Sequence, residues 1–189
     1  MAIALGADAQ GGSSAKGEYA IMYGDNQIGV LIAKKANNNN TITYQLLTEL
    51  TASLIKEFHI TYDLSVTYKS GYMTKAFTRT AVNQHTWDST HIRWHKNQYQ
   101  VEKQGENTYD LDQKRCRLST ARLYFQRPTP KAKIFSEQYC KLVPVEKIKP
   151  DVYKLTLPSG NANLYHYDKK GLKKVVVNDT PVQVRFVRL

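Results

Sequence analysis

Phe58 to Tyr68 reads FHITYDLSVTY: Phe58, Ile60, Tyr62, Leu64, Val66 and Tyr68 take every even position, and His59, Thr61, Asp63, Ser65 and Thr67 every odd one. Strict alternation over this length is the signature of a half-buried strand, not of a helix. One apolar and one polar face suit an antiparallel sheet lying between a core and water. At about 3.3 Å per residue the stretch would run roughly 36 Å, and a strand that long implies a strongly curved or barrel-like sheet.

The rest of the chain repeats the pattern. Gly17 to Tyr23 and Ile28 to Asn37 form an expected hairpin about Gly24-Asp25-Asn26-Gln27, because these residues enter turn conformations cheaply. Residues 42 to 55 fit two readings. Ile42, Tyr44, Leu46, Leu50, Ala52 and Leu54 alternate as a strand, while Leu47, Leu50, Leu54, Ile55 and Phe58 would also make a helical stripe. The strand is preferred because Thr41, Thr43, Thr48 and Thr51 are poor helix formers. Tyr72 to Val82, the Thr90-Ile92-Trp94 run, Tyr99 to Lys103 and Thr108 to Leu111 continue the series. Five more strands are expected from Tyr139 to Leu189, broken at Lys149-Pro150-Asp151, Pro158-Ser159-Gly160, Lys169-Lys170-Gly171 and Asp179-Thr180.

Between the two series, Ser119 to Phe125 predicts a short helix, with Ser119 as its cap and Pro128 as its stop. Gln126 to Lys133, with two prolines, is expected to be a loop or edge. The fold class is therefore all-β: an antiparallel up-and-down meander forming a barrel or strongly curved half-barrel, with one short helix near 119–125. A single domain over residues 17–189 fits a chain of 189 residues. Residues 1–16, containing the A-x-A triplet Ala7-Asp8-Ala9, read as the remnant of an export signal or a disordered leader.

Charge narrows the partners without choosing one. Before residue 96 there are 8 Lys and Arg against 7 acidic residues, and from there on 19 against 9. Such a basic half would attract nucleic acid, anionic lipid headgroups or acidic polysaccharide. Nucleic acid is not expected, because the Tyr165 and Tyr167 pair among the lysines lacks the glycine-aromatic signature of an RNA-binding sheet. No apolar run approaches the length of a membrane-spanning helix.

No motif carries a catalytic reaction. His91 and His95 would bind one zinc from a helix, but on a strand they stand roughly 13 Å apart. Asp110 and Asp112 meet the carboxyl spacing of a glycosidase only as any i,i+2 pair does. No serine sits in a nucleophile elbow. Cys116, between Arg115 and Arg117, would be activated if exposed, but the better reading is a structural thiol or a disulfide with Cys140. No residue pattern calls for a cofactor or a metal. Thirteen tyrosines against five phenylalanines point to an interior with many hydroxyls to satisfy.

The segments Arg122-Leu123-Tyr124-Phe125-Gln126-Arg127-Pro128, Ile134-Phe135-Ser136-Glu137, Tyr153 to Asn161 and Tyr165-His166-Tyr167, with Gly171 and the Val175 to Val177 run, resemble a family of small β-rich bacterial proteins. That family is common in Bacteroidetes-type bacteria, described only as a domain of unknown function, and usually preceded by a signal peptide. The resemblance covers about residues 17–189 and implies export and an all-β fold, but no activity. Arg127 departs from the acidic residue expected before the proline. Leu123, Tyr124 and Phe125 are expected to anchor this segment in the core, with Arg122 and Arg127 facing outward.

These readings converge on an exported, periplasmic or envelope-associated binding or carrier protein, non-enzymatic, for an amphipathic or anionic envelope component such as a lipid. A basic-surface module for acidic polysaccharide or a partner protein is the alternative, and an uncharacterised hydrolase comes third. The candidate ligand-binding residues are Tyr62, Tyr68, Trp94, Arg122, Tyr124, Arg127, Tyr165 and Tyr167.

Overall fold

The computed structural model describes residues 13–53, 57–178 and 183–189. The first meander comprises β1 (Ser14–Tyr23), β2 (Asn26–Asn38), β3 (Thr41–Ser53), β4 (Glu57–Lys69), β5 (Tyr72–Val82), β6 (His85–His95), β7 (Gln98–Lys103) and β8 (Tyr109–Leu111). The second comprises β9 (Lys133–Ser136), β10 (Lys141–Lys149), β11 (Val152–Thr156), β12 (Ala162–Asp168), β13 (Gly171–Val177) and β14 (Val184–Arg188). First and last strands pair antiparallel, so both meanders join into one fourteen-stranded sheet with β8 at one edge and β9 at the other.

Local chemistry dictates the meander. Two-residue loops link β4 to β5, β5 to β6 and β6 to β7, and both loop residues have positive φ: Ser70 and Gly71, Asn83 and Gln84, Lys96 and Asn97. That geometry matches the right-handed twist of the flanking strands, so each strand folds directly back on its predecessor. Curvature enters at bulges, including those in the β1–β2, β4–β5 and β5–β6 pairings. At Gly29 the β2 and β3 backbones approach so closely that a Cβ would lie 2.2 Å from the Glu49 carbonyl oxygen.

Register separates inside from outside. Leu64 pairs with Leu46 and Thr78, and Val66 with Tyr44 and Ala76. All of these are buried, and burying each large apolar side chain is worth roughly 1.5 to 3 kcal/mol. The region 42–55 is strand as far as Ser53, since Leu46 and Thr48 bury on the same face while Gln45, Leu47 and Glu49 stay out. Positions 54 and 55 of that reading lie outside the described residues, as do residues 1–12 of the leader and the Asp179-Thr180 break. The sheet itself begins at Ser14.

The curve does not close into a barrel. Its two edges are consecutive in the chain, and the segment between them fills the gap. Tyr99 on β7 and Phe135 on β9 meet across the gap with ring centroids 5.9 Å apart. The Tyr99 hydroxyl donates to the Met73 carbonyl and accepts from the Cys116 N–H, each at 2.9 Å, and the Phe135 N–H donates to the Leu118 carbonyl at 3.0 Å. Thr120–Tyr124 then turns inward as a single 3-10 turn, shorter than the expected helix. Ser119 stands at its cap position without capping by its side chain. The cap is Glu137: its carboxyl group accepts from the Thr120 N–H at 3.1 Å, the Thr120 hydroxyl at 2.5 Å and the Ala121 N–H at 3.3 Å. The sequence pattern does not predict β9, which lies beyond the expected loop and pairs with β10.

Candidate functional site

The turn plugs one end of the rolled sheet. Tyr124 packs edge-on against Tyr19 at 5.4 Å, Phe125 against Tyr44 at 5.6 Å, and the Tyr167 hydroxyl donates to the Leu123 carbonyl at 2.8 Å. These partners lie on β1, β3 and β12, so the plug touches widely separated walls of the sheet. Arg122 departs from its expected outward direction. It is half-buried, with its guanidinium 5.0 Å from the Tyr68 ring centroid and 5.8 Å from that of Tyr44, and it donates to the Arg117 carbonyl and Gln126. Arg127 is exposed as expected. It lies over the Tyr167 ring and pairs with Asp151 at 2.6 Å, which ties the plug to the β10–β11 turn.

The opposite end carries the β1–β2 and β5–β6 turns, and its inward face is incompletely covered. Leu50, Phe58, Ile60, Val82, Val177 and Phe186 follow in register from buried inward residues, yet each keeps part of its surface, Phe58 as much as 39%. Below them Tyr62 is half-buried on β4. It lies within electrostatic reach of Glu137, of Tyr165 on β12 and of Asp88 on β6, and burial first, then these groups, pushes its phenol pKa well up. Five strands separate β4 from β12 along the sheet, so Tyr62 and Tyr165 approach each other from opposite walls of its interior. Tyr165 is buried and its phenol is raised by burial and by Glu137.

The eight candidate residues therefore divide. Tyr62 and Tyr165 face the interior, Arg122, Tyr124 and Arg127 belong to the plug segment, and Tyr68 and Tyr167 are wall residues packed against it. Trp94 packs at 4.8 Å on Tyr99 beside the gap, with Arg115 5.0 Å above its ring. Sequence reasoning misses Glu137 as the centre of the plug, and it misses a groove on the outer wall.

That groove has a volume of about 490 Å³ and is lined by Ser65 and Thr67 of β4, Lys75 and Phe77 of β5, His91 and Arg93 of β6, and Glu102 of β7. Lys75 stands directly opposite Arg93, and Phe77 opposite His91 with ring centroids 4.6 Å apart.

Cys116 and Cys140 are free, buried thiols, the first of the two alternatives read from the sequence. Each has its own surroundings: Cys116 lies by the Tyr99 hydroxyl and donates to the Lys114 carbonyl, and Cys140 lies by Tyr109 and donates to the Glu137 carbonyl. Burial pushes both pKa values up to about 11, the reverse of the activation that flanking arginines would give an exposed thiol. With so little thiolate, both should alkylate in the folded protein roughly a hundredfold or more slowly than an open thiol at about pH 8. Iodoacetamide labelling followed by mass spectrometry checks this. Rapid native labelling of either cysteine would contradict it.

His91 and His95 are both exposed, and among the described residues no group of three or more His, Cys, Asp or Glu is placed to hold a metal. No helix among the described residues is long and apolar enough to cross a membrane.

A single antiparallel sheet rolled about its own plug defines a β-barrel-like protein. Residues 19–189 match the family model described as Domain of unknown function (DUF6134), and the chain belongs to that family. A similar solved structure is the β-barrel-like protein of Domain of Unknown Function DUF1849 from Brucella abortus, with a TM-score of 0.57 at 9% identity, covering 92% of this chain and 95% of that one. At that identity the likeness concerns the fold alone. Among curated proteins no sequence matches.

Proposed function

We propose that the protein is a non-enzymatic binding or carrier protein, exported to the envelope of a Bacteroidetes-type bacterium, that takes an amphipathic envelope component such as a lipid into the end of its sheet opposite the 3-10 turn. The observation that carries this reading is the partly exposed inward face formed by Leu50, Phe58, Ile60, Val82, Val177 and Phe186. Contiguous apolar surface left open to water marks a binding site more often than it occurs idly. Asp88, within electrostatic reach of Tyr62, disfavours an anion at depth. An acyl tail therefore enters, and any anionic head stays at the mouth. Export rests on the family resemblance and on the Ala7-Asp8-Ala9 triplet.

Native mass spectrometry of the purified protein should show co-purified lipid, and a fluorescent fatty acid should bind and be displaced by lipid extract. Ile60→Glu places a charge on the partly exposed rim and should weaken that probe roughly tenfold. Absence of lipid together with equal probe binding by both proteins would remove the carrier reading.

A further inference from the structure

The outer groove contains an arrangement that folding alone does not favour. On an antiparallel pair, like charges directly opposite each other destabilise the sheet. Lys75 and Arg93 nevertheless occupy opposed positions on the exposed face of β5 and β6. Arg93 has partial relief from Glu102 at 3.6 Å, and Lys75 has no ion pair among the described residues. The adjacent β4–β5 pair shows how the same wall is neutralised elsewhere: Asp63, opposite Arg79, binds that guanidinium with contacts of 2.5 and 3.0 Å. Two cations against the one carboxylate of Glu102 thus leave a net positive field above a concave surface.

What surrounds that field limits the anion. The Phe77–His91 ring pair, its planes tilted by 41°, lies two residues along on the same face, and Ser65 and Thr67, opposite Phe77 and Lys75, add hydroxyls. Glu102, 3.6 Å from Arg93, weighs more against a phosphate dianion than against a single carboxylate, and it can accept hydrogen bonds from neutral hydroxyl groups. A cationic pair, a ring platform and a row of hydrogen-bonding groups together suit a sugar ring bearing one carboxylate. We infer that this groove is a binding site for an acidic saccharide of the uronate type, with Lys75 and Arg93 holding the carboxylate and the Phe77–His91 pair supporting the ring. The site lies on the outer wall of the N-terminal half, apart from the interior of the sheet and from the lysine-rich C-terminal strands. Nothing in it depends on the carrier reading.

The test is titration of the full chain with trigalacturonate, its methyl ester and inorganic phosphate, followed by calorimetry and by shifts of the His91 ring signals. Trigalacturonate should bind, with an affinity that falls as salt rises, while the ester and phosphate should not. Lys75→Gln and Arg93→Gln should each weaken trigalacturonate roughly tenfold or more. Lys75→Gln should also melt at the same temperature as the parent or slightly higher, because it removes the opposed charge. That second readout separates a binding residue from a structural one. Phosphate binding as tightly as trigalacturonate, equal binding of acid and ester, no binding at all, or a Lys75→Gln variant that binds normally or melts lower would each overturn the assignment.

Discussion

Glu137→Ala is expected to destabilise the protein by about 4 kcal/mol, since each buried donor left without a partner costs roughly 1 to 3 kcal/mol. The carboxyl group is fully buried and receives the Thr120 N–H, the Thr120 hydroxyl and the Ala121 N–H. Truncation leaves all three unpaired and opens a cavity beneath the plug. Glu137→Gln keeps one acceptor oxygen and should cost about half as much. The two variants also differ from the parent in pH dependence. Burial raises the Glu137 pKa, and the hydrogen bonds it accepts, those of Thr120 and Ala121 among them, offset only part of that rise. A carboxyl with a raised pKa binds its proton more tightly folded than unfolded. Its contribution is therefore complete below the ordinary glutamate pKa and is lost as pH rises through the raised value. The stability gap between parent and Glu137→Gln should accordingly narrow from about pH 4 to about pH 7. Urea midpoints at the two pH values measure it, and a gap that widens would mean that Glu137 is held ionised.

The sheet is legible in the sequence because alternation is a local property: each inward residue from Leu64 to Tyr68 announces its face through its immediate neighbours. The turn at Gly24 and Asp25 is legible for the same reason, whereas Asn83-Gln84 and Lys96-Asn97 carry no glycine or proline to mark them. The plug is only half legible. Leu123 and Phe125 can be read as anchors, and both pack against the core. The 3-10 turn has a carboxyl group from sixteen or seventeen residues downstream as its cap, a partner that no local rule for Ser119 could supply. Arg122 reads as a surface cation until Tyr44 and Tyr68, from strands far away in sequence, come to lie beneath it. β9 is four residues long and follows two prolines, too short for its alternation to stand out. The groove escapes notice because its opposed cations, Lys75 and Arg93, become neighbours only through the β5–β6 register.

Beside the gap, one hydroxyl ties the crossing segment to the first meander, and Tyr99→Phe tests how much depends on it. Tyr99 is fully buried and its hydroxyl serves two segments at once, donating to Met73 on β5 and accepting from the Cys116 N–H on the crossing segment. The Met73 N–H donates to the Cys116 carbonyl at 2.8 Å, so the three residues form a closed clasp. Phenylalanine keeps the ring contacts with Trp94 and Phe135 and removes only the oxygen. The loss should be about 3 kcal/mol, because it leaves a buried N–H and a buried carbonyl short of a partner. The melting temperature should fall by roughly 6 to 12 °C for a chain of this size. Cys116 supplies a local reporter. With the clasp open, its thiol should alkylate faster than in the parent, beyond what the lower global stability allows. Cys140, set against Tyr109 and the Glu137 carbonyl, should change only with global unfolding. Equal acceleration at both cysteines would show that the clasp opens only when the whole sheet does, and an unchanged melting temperature would show that the gap is held by packing of Trp94, Tyr99 and Phe135 without help from the hydroxyl.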